Sequence, residues 1–137
     1  MTDSEIAALY AACFPNDRNL WSVDAIAQFR RHKSSVIFEK PSAALLLQTV
    51  MDEAEIVSIF VSPANQQQGE GASLLSDAIE YCLKHGIRSL FLEVAADNQS
   101  ALKLYKKFNF EQMGKRKAYY ARTNGSKVDA LTMRLDL

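Results

Sequence analysis

Three places in this 137-residue chain carry residue types suited to chemistry. The first is the run Val61-Ser62-Pro63-Ala64-Asn65-Gln66-Gln67-Gln68-Gly69-Glu70-Gly71-Ala72, which joins an apolar stretch to a helical pattern. A helix start presents unpaired backbone N–H groups and a partial positive charge, and glycines there let a bulky anion approach the main chain. Such a loop can hold phosphates with few cationic side chains. It lacks the Lys-Ser/Thr pair of a P-loop, which disfavours a nucleoside triphosphate with magnesium, and it is not a dinucleotide fingerprint. Two glycines alone also fit a plain turn with a helix-capping glycine. The second place is Glu93 in Arg88-Ser89-Leu90-Phe91-Leu92-Glu93-Val94. A carboxylate near the end of an apolar strand is costly unless solvated or paired, and partial burial raises its pKa toward that of a general base. An exposed strand-end glutamate or a salt-bridge partner is the alternative. The third is Tyr105, whose phenol could protonate a leaving thiolate but whose helical spacing equally fits a core residue.

The elements that must position these groups follow from periodicity. Residues 4–13 repeat Ile6, Leu9, Tyr10 and Cys13 at helical spacing, and Pro15-Asn16 ends the helix. A second helix is predicted over about 22–32, starting at Ser22 or Asp24, with Val23, Ile26, Ala27 and Arg30 on its inner period. Ser35–Glu39, Ala43–Val50 and Glu55–Val61 read as three strands of an antiparallel meander. The third is apolar on both faces, which predicts a central strand. Residues 70–85 form a helix with Leu74, Leu75, Ala78, Ile79 and Cys82 on one face, stopped by Gly86. Arg88–Val94 is a strand with Leu90, Leu92 and Val94 on one side and Ser89, Phe91 and Glu93 on the other. A helix over 98–108 turns Ala101, Leu104, Tyr105 and Phe108 inward, with Asp97 or Asn98 as its cap. Strand, helix, strand and helix make a parallel crossover unit. A final hairpin turns at Asn124-Gly125, and Leu131, Met133, Leu135 and Leu137 alternate inward on the last strand.

Composition narrows the class. The length fits one domain over residues 1–137, and 48% apolar with 23% charged residues is ordinary globular usage. No stretch reaches the length of a membrane helix, and the acidic start Met1-Thr2-Asp3-Ser4-Glu5 argues against a secretory signal. Cys13 and Cys82 fit no metal or disulfide framework and read as reduced thiols of a cytoplasmic protein. His32 and His85 are not arranged as ligands, and no metal is required. The net charge is zero, but residues 1–100 carry 7 Lys/Arg against 13 Asp/Glu while residues 101–137 carry 9 against 3. Either solvated faces segregate by chance or the C-terminal part helps to hold an anionic ligand. The balance does not suggest direct nucleic-acid binding.

Taken together these motifs resemble the GNAT acetyltransferase family. Gln66-Gln67-Gln68-Gly69-Glu70-Gly71 is similar to that family's Q/R-x-x-G-x-G/A acetyl-CoA motif. Phe91-Leu92-Glu93-Val94-Ala95-Ala96-Asp97-Asn98, Ala101-Leu102-Lys103-Leu104-Tyr105, Gly114-Lys115-Arg116-Lys117-Ala118-Tyr119-Tyr120 and Asp129-Ala130 resemble the branch that acetylates the N-terminal alanine of a ribosomal protein. The match is good over about residues 54–137 and loose before them.

The resemblance implies an α/β (α+β) fold: a mixed central sheet of about six strands with helices on both faces, the family's first strand missing. It implies acetyl-CoA as donor, without a metal, and a ribosomal protein N-terminus as acceptor. Ile59, Phe60 and Val61 would line the acetyl group, and Gln67, Gln68, Gly69, Glu70, Gly71 and Ala72 would cradle the pyrophosphate. Asn98 would contact the pantetheine arm or thioester region. Glu93 would be the general base, Tyr105 the general acid, and Tyr119 and Tyr120 the border of the peptide entrance. A small amine or a lysine as acceptor, or a non-catalytic acyl-CoA sensor, are the alternatives. The chain departs from the family at Gln67 and Gln68, where an arginine is common, and at Asn109, where Phe108-Asn109-Phe110 replaces the usual L-G-F or A-G-F.

Overall fold

Thr2 starts the first helix by a reciprocal cap: its hydroxyl accepts from Glu5 N at 3.1 Å, and Glu5 Oε1 accepts from Thr2 N at 3.0 Å. The computed structural model describes residues 1–17 and 20–137. Helix α1 spans Asp3–Cys13 and α2 spans Val23–Arg31. Strands β1 (Ser35–Lys40), β2 (Ala43–Val50) and β3 (Glu53–Val61) form the antiparallel meander. A short turn at Pro63–Asn65 leads to α3 (Glu70–Lys84), then β4 (Ser89–Ala95), α4 (Gln99–Lys107), β5 (Glu111–Ala121) and β6 (Lys127–Asp136). The six strands make one mixed sheet, as expected, and its order is β1-β2-β3-β4-β6-β5.

Alternation along the strands divides the core into two layers. Leu45, Leu47, Ile56, Leu90, Leu92 and Met133 face α3 and α4. Ala44, Leu46 and Phe60 face α1 and α2, packed on Ile6, Tyr10, Ile26 and Phe29. Cys82 is fully buried in the first layer, as its place on the α3 face predicts. The inner face of α2 differs from its expected one: Phe29 is buried, whereas Val23 is 43% exposed. Trp21 meets Phe29 edge-on at 5.6 Å and so covers the start of this stripe in place of Val23.

Two of the sheet's irregularities bear on the site. Between β2 and β3 the register passes from Leu46↔Ser58 to Leu47↔Ile56, which makes Val57 an extra, bulged residue. The parallel ladder between β3 and β4 covers only Glu53–Ile56 against Ser89–Leu92 and ends at that bulge. The facing edges of Val57–Val61 and Glu93–Ala95 are therefore unpaired with each other, while β3 stays bound to β2 and β4 to β6 on their outer sides. In β5, Arg116 pairs with Ala130 and Tyr120 with Val128, so three residues on β5 oppose Asp129 alone. Ala118 takes up the slack at φ +51°, and its N–H donates to Asp129 Oδ1 at 2.8 Å.

Candidate active site

The break in the sheet is walled on one side by the end of β3. Ile59 and Val61 pack toward the α3/α4 layer, whereas Phe60 is buried against Tyr10, edge-on at 5.3 Å. Phe60 thus offers the cleft its main chain rather than its ring. The strand end is anchored from both sides: the Val61 carbonyl accepts from Cys13 Sγ at 3.0 Å and from Gln66 Nε2 at 3.1 Å. Burial pushes the Cys13 thiol up to about 11, which keeps it an S–H donor at neutral pH.

Beyond the turn, Gln67 at φ +64° and Gly69 at φ +88° bring the chain round into α3. Gly69 is the N-cap and makes no side-chain cap, so the N–H groups of Glu70, Gly71 and Ala72 lack the side-chain partner that most helix starts supply. A Cβ at Gly69 would meet nothing within 4 Å, so the backbone angle is what calls for glycine there. At Gly71 it would stand 3.5 Å from Leu104 and 3.6 Å from Val61, an ordinary packing distance between α3, α4 and β3. With glutamines at positions 67 and 68, the positive character of this loop comes from backbone amides.

Glu93 lies on the sheet face opposite Leu92 and Val94, with its side chain 21% exposed. Its Oε2 is 3.2 Å from Arg116 Nε, reached diagonally across β6. The N–H is not aligned on that oxygen, which is shielded from solvent and has no formed hydrogen bond. The contact is ionic. Glu55, which pairs with Phe91 across the β3–β4 ladder, faces the same group. Burial and the negative charge of Glu93 push the Glu55 carboxyl up, and Arg116 opposes this.

Tyr105 is buried at 4% exposure, as the core reading of its spacing required. No hydrogen bond reaches its hydroxyl among the described residues. Burial, then the neighbouring Tyr120, raise its pKa well above the usual phenol value. Tyr120 is half-buried, and burial followed by the Glu93 charge pushes it up to about 12. Tyr120 is thus near enough to Glu93 and to Tyr105 for their charges to be felt. Tyr119 is 50% exposed and meets Tyr120 edge-on at 5.2 Å. Asn98 caps α4: its Oδ1 accepts from Ala101 N at 3.2 Å and Ser100 Oγ at 3.3 Å. Its amide nitrogen makes no hydrogen bond among the described residues.

Several residues join this site that the strand and helix patterns do not single out. Arg122 lies over the Tyr120 ring at 5.6 Å and bonds Asp97 Oδ1 through Nη2 at 3.2 Å. Asp17 forms a β-bridge with Arg122 and accepts the Tyr10 hydroxyl at 2.7 Å, while Thr123 N donates to Asn16 O at 2.9 Å. Asn16-Asp17, the β5–β6 hairpin and the start of α4 are thereby clasped around Tyr120. Both Arg residues sit at or beyond the β5 bulge, where simple alternation no longer tells which way a side chain points. The repeated positive charge in the family-like segment was the available signal for Arg116.

The acetyltransferase (GNAT) family model matches residues 4–110. The chain belongs to the GNAT acetyltransferase family. A curated relative from Escherichia coli, named ribosomal protein bS18-alanine N-acetyltransferase, is 39% identical over 98 residues, which are 72% of this chain and 66% of that relative. The chain thus spans just under two thirds of that relative's length. The crystal structure of the Escherichia coli ribosomal-protein-alanine N-acetyltransferase superposes with a TM-score of 0.82 at 31% identity, covering 99% of this chain and 89% of that one. A NatC complex bound to Gag peptide and CoA shares the GNAT fold at a TM-score of 0.81 and 19% identity, over 99% of this chain and 91% of that one. The family and branch resemblance read from the loop, strand and helix motifs is borne out by these matches. No described helix of this GNAT protein is long and apolar enough to cross a membrane.

Proposed function

We propose that this chain transfers the acetyl group of acetyl-CoA to the N-terminal α-amine of a ribosomal protein that begins with alanine, in the cytoplasm. The observation that carries the reading is the break between β3 and β4, open from Val57 on one side and from Glu93 on the other. A thioester threaded there has main-chain N–H groups of β3 on one flank and the only strand-borne carboxylate of β4 on the other. The uncapped start of α3 supports the pyrophosphate at the outer end of the same cleft. The E. coli relatives named for bS18 alanine acetylation support the acceptor class.

The reaction is a direct transfer in a ternary complex. The amine nitrogen attacks the thioester carbonyl carbon, forming the C–N bond and a tetrahedral oxyanion held by backbone N–H groups. Losing one such donor typically costs about 100- to 1000-fold in rate. Glu93 takes the amine proton, directly or through one water, as general base. The C–S bond breaks, and the CoA thiolate receives the Tyr105 proton. Burial raises the Tyr105 phenol, so it is protonated at neutral pH and has a proton to give. Tyr119 and Tyr120 would border the acceptor entrance, with Tyr120 near Glu93 and Tyr105.

The α-amine suits this site better than lysine on simple proton arithmetic. With a pKa of about 7.7–8.0, roughly a tenth of α-amines are neutral at pH 7, against well under about 0.1% for a lysine at about 10.4. A single carboxylate can draw off the first proton far more readily than the second. Mass spectrometry of a short Ala-initiated ribosomal peptide incubated with enzyme and acetyl-CoA tests the proposal. Acetylation at the α-amine, absent from an N-blocked copy, is expected. Modification of internal lysines alone would overturn it.

A further inference from the structure

We propose that Arg116 is a place-holder for the acceptor's α-ammonium group: its guanidinium sits on the Glu93 carboxylate until the acceptor amine takes that seat. The role rests on the N-terminal acceptor reading given above. Three observations carry it. The Arg116 Nε–Glu93 Oε2 distance is 3.2 Å, yet that oxygen is shielded from solvent and has no aligned donor. The pair is close enough to attract and too poorly aligned to be the best partner available to the oxygen. An ammonium is a compact point charge with three rotatable donors and fits such an oxygen better than a rigid planar fork.

The guanidinium also has somewhere to go. Arg116 is 59% exposed, and its other partner is the Tyr119 ring, 5.0 Å from its charge centre and itself half out in solvent. The main chain beneath is held: the bulge that carries Arg116 to Tyr120 is pinned by the Ala118 N–H on Asp129. Displacement therefore needs only side-chain rotation from the carboxylate onto the tyrosine face. Among the described residues, Glu55 from β3 and Arg116 and Tyr120 from β5 face Glu93, which sets the Arg116 cation among two carboxylates and a phenol. That is the arrangement a cationic amine would find vacated.

Arg116 acts through Glu93, so the test reads the charge of the ligand's N-terminus. Wild type, Arg116→Gln, Arg116→Met and Arg116→Lys, each saturated with CoA, are titrated calorimetrically with a short Ala-initiated peptide and with its N-acetylated copy. Removing the competitor should tighten the free-amine peptide about two- to fivefold in the Gln and Met variants, the scale of one half-exposed ion pair. The N-acetylated peptide should bind all four proteins alike, and the Lys variant should keep the wild-type ratio. Weaker binding of the free-amine peptide, an equal change for both peptides, or a Lys variant that behaves like Gln would overturn the place-holder role. Wild type that acetylates the peptide while the ratio stays fixed in the variants sinks this role alone. Wild type that neither binds nor acetylates it sinks the acceptor reading and this role with it.

Discussion

Phe110 N donates to the Tyr105 carbonyl at 3.0 Å and closes α4 through Asn109, which stands at φ +69°. Asn109 N donates in turn to Lys106 O at 3.0 Å, which completes a Schellman motif. The Tyr105 and Phe110 rings meet at 5.7 Å, the apolar contact that commonly accompanies such a cap. The helix end thus fixes the residue assigned as general acid. Asparagine tolerates the left-handed region better than any other side chain, so the family's glycine is replaced without loss of the turn.

Asn109→Gly is expected to leave stability within about 0.5 kcal/mol of wild type, since both residues reach this conformation. Asn109→Val should cost about 1–2 kcal/mol, because a β-branched side chain is strained there. Urea denaturation of the three proteins measures both. A Val variant as stable as wild type would mean that the motif does not hold α4.

Gly69 raises the same issue at the other end of the site. Its φ of +88° is a left-handed angle, although a Cβ there would stand in open space. Gly69→Ala should therefore cost about 1 kcal/mol through backbone strain alone. Gly71→Ala meets only ordinary contacts and sits inside the first turn of α3, so it should be neutral or slightly stabilising. Equal losses in the two variants, read by urea denaturation, would contradict this division of labour.

The positions of Glu93 and Tyr105 were legible because β4 alternates cleanly and α4 keeps one apolar stripe. Leu90, Leu92 and Val94 are buried as the period-2 pattern requires, which leaves Glu93 on the other face. The loop before α3 was legible because an apolar strand, two closely spaced glycines and a helical period follow one another there. Arg116, Tyr120 and Arg122 were harder to read as a group. The β5 bulge sets three residues against one, and no alternation pattern survives such a slip. Glu55 was hidden differently: the strand reads as apolar on both faces, and only its register with Phe91 brings its carboxylate toward Glu93. The inner face of α2 was misread because Trp21, just outside the helix, supplies the contact that Val23 was expected to make.

Glu93→Gln removes a base but keeps shape, and Tyr105→Phe removes a hydroxyl but keeps the ring against Phe110. Both variants should bind CoA as wild type does, because the α3 start and the end of β3 are untouched. Turnover of an Ala-initiated peptide should fall at least about tenfold in each, a lower bound for general acid–base groups. Steady-state rates with CoA titrations alongside decide it. Full turnover in both variants would strip these residues of their roles, while lost CoA binding would make them structural.

Glu55 provides a pH test of the charge arrangement around Glu93. Burial and the Glu93 charge hold its folded-state pKa above the ordinary value, with Arg116 working the other way. The unfolded chain then gives up this proton at lower pH than the folded one. Ionised Glu55 therefore opposes folding at neutral pH, and the penalty disappears as pH falls through its folded pKa. Glu55→Gln should raise the urea midpoint at pH 7, and the gain should shrink on acidification as wild-type Glu55 takes up its proton. Arg116→Gln should enlarge the pH 7 gain of Glu55→Gln, because the cation that partly offsets the repulsion is gone. A gain that stays constant from pH 7 into the acid range would show that Glu55 does not feel Glu93, and that Arg116 is not shared between them.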